Sequence, residues 1–182
     1  MECDVLIVGG GTGAVAAALA TTRYGLRTIV TEETRWIGGQ LTSQIVPPDE
    51  HPWIEGFGCT ATYRRYRDLV RAYYQAFTPL NAAARQNARL NPGTGWVSRL
   101  CHEPRIGHAV LQQMLQPAYT AGLLRVLPRL KPHSADVDSD VVKGVRFVQL
   151  DDSSFMHISA KFVLDATELG DLLPMAKVPY TV

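Results

Sequence analysis

Apolar and polar positions follow two rhythms along this chain, and the first change of rhythm comes within its opening residues. From Asp4 an unbroken apolar run, Val5-Leu6-Ile7-Val8, stops at Gly9-Gly10-Gly11, and small apolar residues resume from Ala14 to Ala20. A short apolar run closed by glycines predicts a strand buried on both faces, as in a parallel sheet. The alanine-rich segment after it predicts a helix that can approach that strand closely, because its side chains are small. Gly25 follows as a C-terminal cap, and Arg27–Thr31 predicts a second strand with Glu32 at its end. Strand, glycine turn, helix and strand in that order make a βαβ unit.

Residues 47–59 contain prolines and glycines and predict a loop. Tyr63, Tyr66, Val70, Tyr73, Tyr74 and Phe77 then recur at helical spacing, which predicts a helix over Thr60–Phe77 with Arg64, Arg65, Arg67 and Arg71 on its solvated face. Asn81–Pro104 is polar and irregular, the pattern of a lid or binding loop, with Arg99, His102 and Arg105 read as solvated. Helical spacing returns over Ile106–Tyr119, with Pro117 as a kink or an end. Strands are predicted at Leu123–Leu130, Val141–Leu150 and Phe155–Ile158, joined by polar turns at Lys131–Asp140 and Asp151–Ser154 to make an antiparallel meander. A last strand, Lys161–Asp165, leads into Ala166-Thr167-Glu168-Leu169-Gly170-Asp171 and a helix near Leu172.

Composition narrows the function classes. The 182 residues suit one ordinary domain, and a formal net charge of +1 provides no field to attract nucleic acid or anionic lipid, so neither partner is expected. Glu2 and Asp4 stand where a signal peptide carries positive charge, and the glycines interrupt the apolar run, so neither a signal nor a membrane helix is read there. Cys3, Cys59 and Cys101 are far apart without C-x-x-C spacing, which argues against a metal site or disulfide framework and suits a reducing cytoplasm.

The candidate chemistry lies in the glycine turn. Gly9, Gly11 and Ala14 satisfy the G-x-G-x-x-G/A pattern: one glycine for the turn, one for close approach of a pyrophosphate, and a small residue for helix–strand packing. Together with Thr12 and Gly13 they would offer backbone N–H groups at a helix N-terminus to a diphosphate. Glu32 stands at the distance expected of an acid that holds a ribose with free hydroxyls. Arg35, Gly38 and Gly39 follow in a connection rich in hydrogen-bonding groups. His51, Trp53 and Cys59 have no catalytic partner identifiable by spacing and read as ordinary loop residues. No catalytic residue is identified.

Residues 4–46 resemble the FAD-dependent oxidoreductases of the glutathione-reductase-like superfamily with two dinucleotide-binding domains. They are similar in particular to the bacterial family related to the flavin subunit of heterodisulfide reductase. The resemblance implies an α/β fold, a Rossmann-like FAD/NAD(P)-binding domain whose parallel sheet carries an inserted antiparallel β-meander. It implies FAD as cofactor, with Gly9, Gly11, Ala14, Glu32, Arg35, Gly38 and Gly39 as contacts. The segment from Asp165 to Asp171 looks like that family's Asp-Ala-Thr-Gly-x-Gly-Asp signature, which adds Ala166, Thr167 and Asp171, the last as a hydroxyl partner or as an acidic helix cap. Glu168 replaces the usual glycine there, and a carboxylate would repel a diphosphate if it faced one. The expectation is an FAD-binding domain over 1–182, an N-terminal portion of a longer protein, with 47–105 an insertion of loops and helices. Its small-molecule substrate and electron acceptor are unidentified. The rivals are an NAD-dependent dehydrogenase and a nucleotide-binding module without redox activity.

Overall fold

A computed structural model describes residues 1–181. The chain divides into two compact units, one made of Met1–Gly39 with the chain from Leu115 onward, the other of Gln40–Met114.

The first unit is built on a six-stranded sheet. Its strands are β1 (Glu2–Val8), β2 (Thr28–Glu32), β3 (Leu124–Pro128), β4 (Leu130–Asp138), β5 (Val141–Gln149) and β6 (Phe155–Asp165), in the spatial order β3-β2-β1-β6-β5-β4. β1 pairs in parallel with β2 on one side (Ile7 opposite Val30) and with β6 on the other (Ile7 opposite Leu164). Leu6, Ile7 and Val8 are wholly buried, as a strand covered on both faces requires. One face carries a core of Leu6, Val8, Ile29, Phe147, Ile158 and Leu172 among others. Helix α1 (Thr12–Arg23) packs on β1 and β2 with Ala14, Val15 and Ala18 buried. It ends in a Schellman motif: Gly25, at φ +74°, donates its N–H to Thr22 O, and Leu26 donates to Thr21 O.

Three predicted strands are rearranged. Leu124–Pro128 is not a meander strand; it follows a helix, and that long crossover returns it in parallel beside β2. Lys131–Asp138, expected to be a turn, is most of β4. It was hidden by charges, by Pro132 and by two register irregularities, features that an edge strand tolerates and uses. Phe155–Ile158 and Lys161–Asp165 are one continuous strand. Its first half pairs antiparallel with β5 and its second half parallel with β1, and Ser159 faces a partner on each side. Backbone hydrogen bonds carry the strand through Ser159-Ala160, where the apolar pattern lapses. The antiparallel meander therefore consists of β4, β5 and β6.

The second unit holds α2 (Ala61–Phe77), α3 (Ala82–Gln86) and most of α4 (Pro104–Thr120). Thr60 caps α2 by accepting from the Tyr63 N–H, and Pro104 opens α4 where a missing N–H costs nothing. Among the described residues no helix is long and apolar enough to cross a membrane. The buried face of α2 is Tyr66, Arg67, Val70, Arg71 and Tyr74, so two of the arginines expected in solvent lie inside. The loop supplies their partners. Arg67, fully buried, pairs with Glu50 and Glu55, and Arg71 binds Glu55 (Nη1–Oε2 3.1 Å) and the Leu90 carbonyl (3.0 Å). Periodicity cannot see this, because a buried arginine is tolerable only when carboxylates distant in sequence come to it.

This cluster sets an expectation for stability. Burial pushes the Glu55 carboxyl up, but the Arg71 hydrogen bond and the Arg67 and Arg71 charges overcome it and hold the group below its ordinary 4.5. The resulting stabilisation is complete above that value and is lost as pH falls from it through the lower folded pKa. Arg67→Ala, which leaves Glu50 buried without its cation, should cost about 3–5 kcal/mol. Chemical denaturation as a function of pH checks both, and Glu55→Gln should flatten the acid limb of the curve.

Candidate functional site

The carboxyl end of β1 is the point at which the chain leaves toward β2 on one side while β6 arrives on the other. In open α/β sheets this is where a crevice forms. Three connections meet there: the turn Gly9–Gly11, the segment after Glu32, and the loop after Asp165.

Gly9, at φ +95°, turns the chain out of β1, and its N–H faces the hydroxyl of wholly buried Thr31 at 3.4 Å. A Cβ built on Gly9 would lie 2.6 Å from the Ala166 carbonyl carbon and 2.7 Å from the Thr167 nitrogen, both main-chain atoms. The ends of β1 and β6 are thus in direct backbone contact, fastened by the Ala166 N–H donating to Val8 O at 2.7 Å. Gly10 faces Glu32, whose Cβ would be 2.8 Å from an added Cβ. Gly11 is the N-cap of α1 and provides no side chain to satisfy the helix's first N–H groups. Thr12 and Gly13 are exposed, and nothing lies within 4 Å of a Cβ built on Gly13, while Ala14 is buried against the sheet.

Glu32 ends β2, and its Oε1 accepts the Thr34 N–H at 2.7 Å, which orients the carboxylate. The Gly-Gly pair is laid onto the first turn: Gly38 donates its N–H to Gly10 O (2.7 Å), and the Thr12 hydroxyl donates to Gly38 O (2.9 Å). A Cβ on Gly39 would come within 3.1 Å of Gly11 Cα. Arg35 is exposed, and no ion pair or hydrogen bond holds it among the described residues.

The third connection is clamped from within. Asp165 Oδ1 accepts from the Thr167 N–H (3.0 Å) and hydroxyl (2.7 Å), and its Oδ2 accepts the Leu172 N–H at 2.9 Å. The Thr167 hydroxyl in turn accepts the Asp171 N–H at 2.8 Å. The cap of the short helix α5 (Leu172–Met175) is therefore Asp165. Asp171, expected as an alternative cap, makes no side-chain capping bond. Sequence reasoning missed Asp165 because it stands at the end of a strand, seven residues from the N–H it satisfies. Glu168, at the apex, is exposed, and its carboxylate reaches back over the glycines: Oε1 lies 3.0 Å from a Cβ built on Gly11 and 3.1 Å from one built on Gly39.

The tempting groups of the second unit are used internally. His102, read as solvated, accepts the Tyr66 hydroxyl at Nε2 (2.9 Å) and donates from Nδ1 to the Glu103 carbonyl (3.1 Å). This is the tautomer a carbonyl partner requires, and burial lowers the pKa of the ring, which keeps it neutral. His51 accepts the Trp53 N–H and faces the Gly58 carbonyl. Among the described residues no cluster of three or more metal-binding side chains occurs.

A family model described as FAD dependent oxidoreductase matches residues 4–182. No curated protein matches the chain. Among solved structures the chain is similar to Sdh1 of Mycobacterium smegmatis in complex with UQ1, with a TM-score of 0.56 and 14% identity over 90% of this chain and 33% of that one. It is similar to the myxobacterial chondrochloren halogenase CndH, an FAD-dependent halogenase (TM-score 0.54, 18% identity, 91% of this chain and 37% of that one). It also resembles the glycerol-3-phosphate dehydrogenase of Bacillus halodurans complexed with FAD (TM-score 0.54, 17% identity, 91% and 34%). At such identities the likeness is one of fold, and the chain spans about a third of each of these proteins.

The glycines of the turn should respond unequally to a methyl group. Gly9→Ala sets a Cβ against main chain at a left-handed φ and should destabilise by about 3 kcal/mol or more. Gly13→Ala enters open space in the first helical turn and should stabilise by about 0.4–1 kcal/mol. Urea denaturation of the two variants checks the contrast.

Proposed function

The chain belongs to the FAD dependent oxidoreductase family, and from that premise we propose that the three connections at the end of β1 seat the adenosine diphosphate half of FAD. The observation that carries this reading is the fastening of Gly38 onto Gly10 and Thr12. It brings the second motif onto the glycine turn, so that two stretches more than twenty residues apart line one crevice.

The residues fit the group. The first turn of α1 has no side-chain cap, and its orphan N–H groups and the positive end of its dipole suit a diphosphate. The absence of side chains at Gly11 and Gly39 lets an anion approach the main chain. In this reading Gly11, Thr12, Gly13 and Ala14 hold the diphosphate through backbone N–H groups, and Gly9 and Ala14 permit the close packing beneath it. Glu32, oriented by Thr34, accepts from the adenosine ribose hydroxyls. Exposed Arg35 adds a cation beside the dinucleotide, Gly38 and Gly39 form the wall, and Ala166, Thr167 and Asp171 border the opposite side.

Bound FAD would supply hydride or electron transfer through its isoalloxazine ring. This chain's part is to bind and orient the nucleotide end. The finer kinship, with glutathione-reductase-like proteins and the heterodisulfide reductase flavin subunit, is supported by Arg35 and Gly38-Gly39 following Glu32. The substrate and electron acceptor are small molecules of unidentified structure. Further polypeptide is expected to complete the enzyme, an inference supported by Phe162 and Leu164, which are exposed on β6 opposite buried Val5 and Ile7. Three free cysteines support a reducing, cytoplasmic setting.

The purified protein should be yellow and release FAD rather than FMN on denaturation; a colourless protein that binds NAD instead would overturn the reading. Glu32→Gln should weaken FAD binding about 10- to 100-fold, as loss of charge-assisted hydrogen bonds of about 1.5–3 kcal/mol requires. Titration followed by flavin fluorescence measures it.

A further inference from the structure

A single carboxylate oxygen, Oε1 of Glu168, lies 3.0 Å from where a side chain on Gly11 would begin and 3.1 Å from where one on Gly39 would. Those two glycines come from different connections, and the space above them adjoins the uncapped N-terminus of α1, whose partial positive charge attracts an anion. The chain thus has an anion of its own against the glycines that border the seat assigned above to a phosphate. We propose that Glu168 is an internal stand-in for the diphosphate: its carboxylate keeps the cradle formed in the FAD-free protein and must leave for FAD to bind. The proposal rests on the FAD reading.

Two features make this an exchange of anions and not a permanent blockade. The main chain around Glu168 is fixed on both sides, by Asp165 holding Thr167 and Leu172 and by Thr167 holding the Asp171 N–H. The side chain itself is exposed, and none of the hydrogen bonds fastening that loop involves its carboxylate. Rotation about its own bonds therefore takes the carboxylate out to water without unravelling the loop. Two anions do not share the seat without cost, because like charges at close range repel even through water and more strongly where water is partly excluded. Displacement of Glu168 is consequently a cost included in every measured FAD affinity.

The test compares the wild-type protein with Glu168→Gln, which keeps the shape and removes the charge, and Glu168→Ala, which empties the seat. Circular dichroism confirms folding of each. FAD dissociation constants come from flavin fluorescence, and melting temperatures are taken with and without FAD. Both variants should bind FAD about five- to tenfold more tightly than wild type, and inorganic pyrophosphate should compete for the seat more effectively in both. Without FAD, both should melt at a lower temperature than wild type, since the helix end loses its anion; with saturating FAD, neither should melt lower. Unchanged or weaker FAD binding by both folded variants, with wild type binding FAD normally, would overturn the proposal and leave the FAD reading intact. Failure of all three proteins to bind FAD would overturn that reading and this proposal with it.

Discussion

The contact between the ends of β1 and β6 governs the geometry of the site. Main chain meets main chain there, at Gly9 against Ala166-Thr167, with no side chain between them. That approach needs a residue without Cβ and a left-handed φ, and glycine meets both conditions. Because the two strand ends are fixed at this separation, the glycine turn and the loop after Asp165 open onto the same space. The Gly38-Gly39 segment then closes on them through hydrogen bonds to Gly10 and from Thr12. A crevice made this way is lined by peptide groups, which suits it to a ligand recognised by charge and hydrogen bonding more than by apolar shape.

Electrostatics are handled differently in the two units. In the second, Arg67 and Arg71 are taken out of water and satisfied by Glu50 and Glu55, a cluster whose charges are neutralised within the protein and whose role is to join the loop to α2. Such a cluster is costly to break, and its members are poor candidates for chemistry because both carboxylates are paired with arginine, although the buried Arg67 Nε has no hydrogen-bond partner. In the first unit the opposite holds. The helix α1 begins without a cap, and a carboxylate beside its N-cap, Glu168, stands on an exposed side chain that can move. Satisfied charge builds structure, and unsatisfied main-chain dipole is left for a ligand.

The mixed sheet follows from the same economy of partners. β6 serves the meander with one half and the parallel sheet with the other, so the strand that completes the core around Phe147 and Ile158 also delivers Asp165 to the end of β1. Asp165 then organises its own loop with both carboxylate oxygens. One strand therefore joins the packing of the domain to the shape of the crevice.

The sequence by itself determined the βαβ unit, the turn and most of the residues at the crevice. These are local matters: an apolar run, a glycine that must take φ > 0, a small-residue helix and an acid at a strand end are each written within a few neighbouring residues. Resemblance to the family signature marked Glu168 as out of pattern. What only the tertiary structure decided concerns partners remote in the chain. Arg67 and Arg71 are buried because Glu50 and Glu55 meet them, and their spacing on α2 carries no sign of it. Lys131–Asp138 is a strand because β5 lies beside it, despite a composition that predicts a turn. The interruption at Ser159-Ala160 is bridged because β1 and β5 hold the backbone on either side. Asp165 caps a helix seven residues away, and Glu168 points into the cradle. For the arginines, β4, β6 and Asp165, hydrogen bonds or ion pairs outweigh what the local pattern predicts, and for Glu168 it is the approach of the two glycine connections that places the carboxylate.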